Sequence, residues 1–393
     1  MPIVSRWNRR RGLEALATLT SLAVAGLYLL PGGENPPELP RKRVLAGTAS
    51  GYVSGLAFSR DGRYLASGGE HLFLHDLKAG SSRRLRLPRP PVPHRDEARA
   101  NGFDEDGLLT LALDFSPLGD LLATGDHGGQ VRLWDVRTGD LVAELEGHSD
   151  RRVLSLDFTP DGQTLASAGD DWVVRLWDVR TLAMRSTLTR AEPQEPFYQV
   201  NPRPTGHAIG FTPNGDRLRS VDGRIDPRFL TWDLSTLASA EGSEESPPLW
   251  PYRVSPDAES VLAGDATSVS LWKIGEGAKT LELRQPLPDA WAGSGVSFRP
   301  DGRVVAIPWN ARSHSWIDRR PKMDQAILSA VGVRPGTSLV VALHDTKTGE
   351  PLFAMEGETT AAFSADGRML ATADLRGRLT LWDASPLPDA PPR

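Results

Sequence analysis

The stretch Val153-Leu-Ser-Leu-Asp-Phe158-Thr-Pro-Asp-Gly162-Gln-Thr-Leu-Ala-Ser167-Ala-Gly-Asp-Asp171-Trp172-Val-Val-Arg-Leu-Trp177-Asp178 decides the fold. Two strand-like runs, 153–158 and 163–167, flank a Pro-Asp-Gly turn, which is a hairpin signature, and a third run ends in Trp177-Asp178. The turn phrase recurs along the chain: Phe58-Ser-Arg-Asp-Gly62, Phe115-Ser-Pro-Leu-Gly119, Phe158-Thr-Pro-Asp-Gly162, Phe211-Thr-Pro-Asn-Gly215, Val254-Ser-Pro-Asp-Ala258, Phe298-Arg-Pro-Asp-Gly302 and Phe363-Ser-Ala-Asp-Gly367. Downstream come Val131-Arg-Leu-Trp-Asp135, Val174-Arg-Leu-Trp-Asp178, Leu230-Thr-Trp-Asp233, Val269-Ser-Leu-Trp-Lys273 and Leu379-Thr-Leu-Trp-Asp383, with weaker copies at His75-Asp76 and His344-Asp345. A fourth run comes next, as in Leu141-Val-Ala-Glu-Leu145, and once it leads to Gly147-His148.

Four short strands per unit, a Trp-Asp pair closing the third and a Gly-His before the next unit resemble the WD-repeat family of β-propellers. The resemblance covers residues 41–393, and the units 103–146 and 147–190 carry its motifs most fully. It implies an all-β, seven-bladed propeller of four-stranded antiparallel blades. In the family a His, a Ser or Thr, an Asp and the Trp form a hydrogen-bonded tetrad, and His148, Ser167, Asp171 and Trp177 match those places in one blade. Elsewhere the Asp place holds Gly128 or Arg376, which predicts looser blades. Trp134, Trp177, Trp232, Trp272 and Trp382 are read as core packing. After Asp383 only Pro-rich sequence remains, so the last blade lacks a fourth strand; Arg43-Val44-Leu45-Ala46-Gly47, inside a strand at 41–47, is expected to supply it and protect the edge.

Ahead of the repeats, 15–30 carries no charge and stands after Arg6, Arg9, Arg10 and Arg11. Residues 12–30 give about 28 Å of helix, close to a ~30 Å hydrocarbon core, so 1–30 reads as a cytoplasmic stub and transmembrane anchor. Ala23-Val24-Ala25 offers the alternative of a cleaved signal, although the apolar run continues past it. The arginines place the rest of the chain, from residue 31 onward, outside the cytoplasm, and the Pro- and Gly-rich 31–40 is a linker.

Composition removes several classes of chemistry. With no Cys, disulfides, thiolate metal sites and cysteine nucleophiles are excluded, and a net charge of -5 offers no field for nucleic acid. No metal-ligand, phosphate-loop or nucleophile-elbow motif occurs. His71 and His75 do not share a helical face, and Asp170-Asp171 and Asp104-Glu105-Asp106 read as turns or solvated loops. No cofactor and no catalytic residue is expected, and the propeller is expected to be monomeric.

The informative part is the excess length. Strand alternation puts the connections after second and fourth strands on one face. Insertions are expected there at 82–102, 189–206 and 310–337. Long loops on a rigid scaffold are where binding resides, and Trp, Tyr and Arg are hot-spot residue types. The candidates for partner contact are Trp172, Phe197, Tyr198, Arg203, Arg312, His314, Trp316, Arg319 and Arg320. The expected function is a non-enzymatic, membrane-tethered scaffold that binds a protein or peptide by its long-loop face. The alternative is a propeller that binds or hydrolyses a sugar or lactone at its channel mouth, for which the starts of the innermost strands offer mostly Ser, Ala, Gly and Val.

Overall fold

The computed structural model describes residues 39–387 except 46–51, 87–108, 149–150, 190–206, 223–228, 242–249, 265–267, 275, 277, 286–289, 294 and 312–338. The described strands form seven antiparallel sheets, the blades of a β-propeller. Blade 3 shows the plan: Val153–Phe158, Thr164–Gly169, Val174–Asp178 and Ala183–Leu188 pair in sequence order from the innermost strand outward. Blades 1, 2, 4 and 5 repeat it over 53–85, 110–145, 207–241 and 250–283, and blade 6 covers 290–356. In blade 7, Glu358–Phe363, Met369–Asp374 and Leu379–Asp383 take Arg41–Leu45 as their outer strand, with Leu45 opposite Leu379.

Local chemistry makes each hairpin. In the first turn the Ser59 hydroxyl donates to Asp61 at 2.6 Å, Asp61 accepts from the Arg63 N–H, and Gly62 takes the left-handed φ of 68° that the turn needs. Thr159/Asp161 and Ser364/Asp366 repeat the bond at 2.6 Å. The Asp of each Trp-Asp pair closes the next turn, as where Asp178 accepts from the N–H of Thr181 at 2.7 Å. The Asp therefore serves the turn, and the Trp serves the core.

Cores lie between blades. Trp134 of blade 2 packs with Leu72, Leu74 and Leu85 of blade 1, and Trp177 of blade 3 packs with Leu133 and Leu145 of blade 2. Similar clusters join blades 3 to 4, 4 to 5, 6 to 7 and 7 to 1. Trp134, Trp177, Trp232 and Trp382 are buried, while Trp272 is partly so. Full burial of such a side chain stabilises by roughly 3 kcal/mol.

Two regions depart from the sequence reading. Ser81–Leu85 is the fourth strand of blade 1, so the insertion expected at 82–102 starts later. An outermost strand is wetted on both faces, and Ser-Ser-Arg-Arg has no apolar alternation to betray it. The first strand of blade 6 is broken into Ala290–Ala292 and Ser297–Phe298, both paired to Val304–Ala311.

Candidate functional site

Strand direction sorts the propeller into two faces. Phe58, Phe115, Phe158, Phe211, Val254, Phe298 and Phe363 end the innermost strands at the short-turn face. The opposite face receives the chain ends that flank the long connections: Leu85 and Thr110, Leu188 and His207, and Ala311 and Leu339. Phe197, Tyr198, Arg203, Arg312, His314, Trp316, Arg319 and Arg320 lie outside the described residues. Among the described residues no helix is long and apolar enough to cross a membrane, and the span expected over 12–30 lies outside them.

Trp172 is described, on the long-loop face between the second and third strands of blade 3. It is half-buried, and its φ is 65°. The matching turn positions in blades 2 and 7 hold Gly129 at 84° and Gly377 at 74°. A bulky side chain in the left-handed region costs on the order of 1 kcal/mol where glycine costs nothing. Blade 3 thus carries a large aromatic at a place where these two sisters have none.

Beneath that turn the structure brings His148, Ser167, Asp171 and Trp177 together. Trp177 Nε1–H donates to Ser167 Oγ at 2.9 Å, and Ser167 Oγ lies 2.8 Å from His148 Nε2. His148 Nδ1 lies 3.0 Å from Asp171 Oδ1, while Arg175 donates to Asp171 Oδ2 at 2.6 Å. The order that uses every donor runs from Trp177 N–H to Ser167, from the Ser167 O–H to His148, and from the His148 N–H to Asp171. Burial raises the Asp171 carboxyl, but the bonds from His148 and Arg175 outweigh it and hold it below the usual range. His148 and Ser167 are fully buried, so this chain of bonds stiffens the blade and offers nothing to a substrate.

The other blades solve the same problem with different atoms. Trp134 donates to Thr124, Trp232 to Ser220 and Trp382 to Thr372, at 3.0, 2.9 and 2.8 Å. Where the family Asp place holds Gly128, Asp126 two residues earlier accepts from the Gly128 and Gln130 N–H groups and pairs with buried Arg132. In blade 7, Asp374 likewise accepts from the N–H groups of Arg376 and Arg378. Glu358 sits buried beside Thr372, and burial pushes its carboxyl up to about 7, against the opposing pull of the Thr372 hydroxyl. In blade 1, His75 occupies the Trp place and spends its nitrogens on Ser67 and Ser82, at 3.0 and 2.7 Å, rather than on a metal. Blade 5 has Ala263 where the hydroxyl should be, and Trp272 Nε1 is buried without a partner among the described residues.

Charged groups at the channel are not apparent from the repeat pattern. The residue before each turn aromatic is Ala57, Asp114, Asp157, Gly210, Arg253, Ser297 or Ala362. Asp114 accepts from the Phe158 N–H of the next blade at 3.0 Å, Asp157 from Phe211 N–H at 2.6 Å, and Ser297 Oγ from Phe363 N–H at 3.1 Å. Burial pushes both carboxyls up; Asp157 pushes Asp114 further, and Arg253 draws both back. The sequence directs attention to the starts of these strands, whereas the charges stand at their ends. The one legible signal is Leu-Asp-Phe, repeated at 113–115 and 156–158.

The family described as WD domain, G-beta repeat matches this chain over residues 40–72, 105–135 and 139–178. No curated protein matches it. The matched segments span the outer strand of blade 7 and parts of blades 1, 2 and 3, the last two with Trp-Asp turns and blade 3 with the full tetrad, and the remaining blades repeat their strand order; the chain is a seven-bladed β-propeller carrying WD40 repeats.

Proposed function

We propose that this propeller is a non-enzymatic platform that binds a protein or peptide through its long-loop face, with Trp172 in the contact. The observation that carries the reading is the strained placement of Trp172. Its φ of 65° is retained where Gly129 and Gly377 avoid the strain; Leu182 and Leu237 adopt 59° in the short turns of the other face, so it is a strained aromatic on the long-loop side that singles out Trp172. Fold supports the reading as well, since WD40 propellers are typical interaction scaffolds. The long connections also attach on the Trp172 side, while the opposite face turns tightly.

The tether completes the proposal. Residues 12–30 anchor the chain in a membrane, the propeller lies on the extracytoplasmic side, and the short-turn face is turned toward the bilayer. The support is the course of the chain at Leu39 and Pro40, which enter the outer strand of blade 7 from the short-turn side, where the Pro40 carbonyl accepts from the Asp383 N–H at 2.8 Å. Lipid cross-links formed from 310–337 would contradict this orientation.

The test pairs Trp172→Gly with replacement of 310–337 by a four-residue turn, each followed by cross-linking and affinity capture from the native cell. Trp172→Gly is predicted to gain up to about 1 kcal/mol in urea unfolding and to lose the partner. Capture unchanged in both variants would overturn the proposal. A second reading, a small molecule in the channel, is favoured by the grouping of Asp114, Asp157 and Arg253.

A further inference from the structure

A ligand for the channel can be specified further, an inference that rests on the second reading and is independent of the partner platform. A cavity of about 290 Å³ opens at the short-turn end of the channel among the innermost strands of blades 3 to 6. Asp157 and Arg253 line it beside the apolar walls of Leu156 and Ile209. Asp157 spends Oδ2 on the Phe211 N–H, and among the described residues no donor reaches its Oδ1. Arg253 is exposed and makes neither a hydrogen bond nor an ion pair with the described residues, although its charge is felt by both Asp114 and Asp157. The cavity therefore holds the Asp157 carboxyl, with one oxygen unspent, and a guanidinium whose planar fork is unused, while Asp114 of the neighbouring blade stands outside this lining.

We infer that this end of the channel binds a small ammonium carboxylate, an α-amino acid in its zwitterionic form, with the ammonium on Asp157 and the carboxylate on Arg253. Each half of the ligand answers one half of the site. A guanidinium fork matches a carboxylate with two parallel bonds, and an ammonium donates to the Asp157 oxygen that the Phe211 N–H does not use. A simple anion meets the repulsion of Asp157, and a simple cation meets that of Arg253. A metal ion fits poorly, because no third His, Asp or Glu joins the aspartates among the described residues. The volume lies at the small end of ligand pockets, which suits a single amino acid. Because burial favours the protonated Asp157 carboxyl, an arriving ammonium completes its ionisation and expels a proton.

Calorimetric titration of the full chain with L-alanine, L-lysine, acetate and methylammonium, in two buffers of different ionisation enthalpy, tests this. The expected result is one site per chain for an amino acid, proton release on binding, and affinities for acetate and methylammonium at least about tenfold weaker, a difference of roughly 1.4 kcal/mol. Arg253→Gln, at an exposed position, and Asp157→Asn, whose amide oxygen still accepts from Phe211, should each fold normally by circular dichroism and lose affinity at least about tenfold. Two results would overturn the inference: neither amino acid binding the folded protein up to about 10 mM, or affinity unchanged in Arg253→Gln. Both leave the partner platform untouched, since that proposal is read by capture through Trp172.

Discussion

Blades 3 and 6 have the same four-strand order and nearly opposite chemistry. In blade 3 the aromatic plug is Trp177 on the third strand, its N–H answered by Ser167 on the second. In blade 6 the plug is Trp309 on the second strand, and its N–H is answered at 3.2 Å by His344 on the third, in the place where blades 2, 3, 4, 5 and 7 hold Trp. Burial pushes His344 down to about 4, so it is neutral at physiological pH and free to accept that bond. Both tryptophans are buried, Trp309 completely. In these two blades one large buried aromatic has its N–H satisfied, and the strands exchange which of them supplies the plug. The motif is one solution of a packing requirement.

The largest test of this equivalence is removal of the blade 6 plug. Trp309→Ala should cost about 4 kcal/mol in urea unfolding, as much as Trp177→Ala; a cost below about 1 kcal/mol would show that blade 6 stands without it. Ser167→Ala comes next, at about 2 kcal/mol, because it strands the N–H of Trp177 and a ring nitrogen of His148 together.

Blade 7 extends the comparison through pH. Glu358 has its carboxyl raised from 4.5 to about 7, so the folded state holds this proton more tightly than the unfolded chain. Its stabilisation is complete below pH 4.5 and is lost as the pH rises through 7. Stability should fall across that window, and Glu358→Gln, neutral at every pH, should flatten this part of the profile. A slope unchanged in the variant would assign it to another group. The smallest effect belongs to blade 5: Ala263→Ser supplies the acceptor that Trp272 lacks and should add about 1 kcal/mol, whereas an unchanged midpoint would mean that the hydroxyl finds another partner.

These contrasts explain what was legible in the sequence. The Ser-Pro-Asp-Gly and Trp-Asp turns are closed by atoms within five residues of one another, so their chemistry is written locally, and the repeat count comes with it. Trp309 is not recognisable as a plug because its partner His344 lies across a long insertion. The roles of Asp114 and Asp157 depend on backbone N–H groups in the next blade, which no spacing within a unit reveals. The long-loop face could be located from strand parity alone. Of its candidate contact residues, the structure describes Trp172, whose left-handed backbone angle, shared with Leu182, Leu237 and Ala258, composition could not disclose.

The claim that binding belongs to one face is tested most directly by photo-cross-linking from each face of the same protein. A benzophenone side chain at Trp172 reports on the long-loop face, and one at Leu118, 68% exposed in its turn, reports on the other. The account predicts a specific adduct from position 172 and none from position 118. Adducts from position 118 alone, or equally from both, would contradict it.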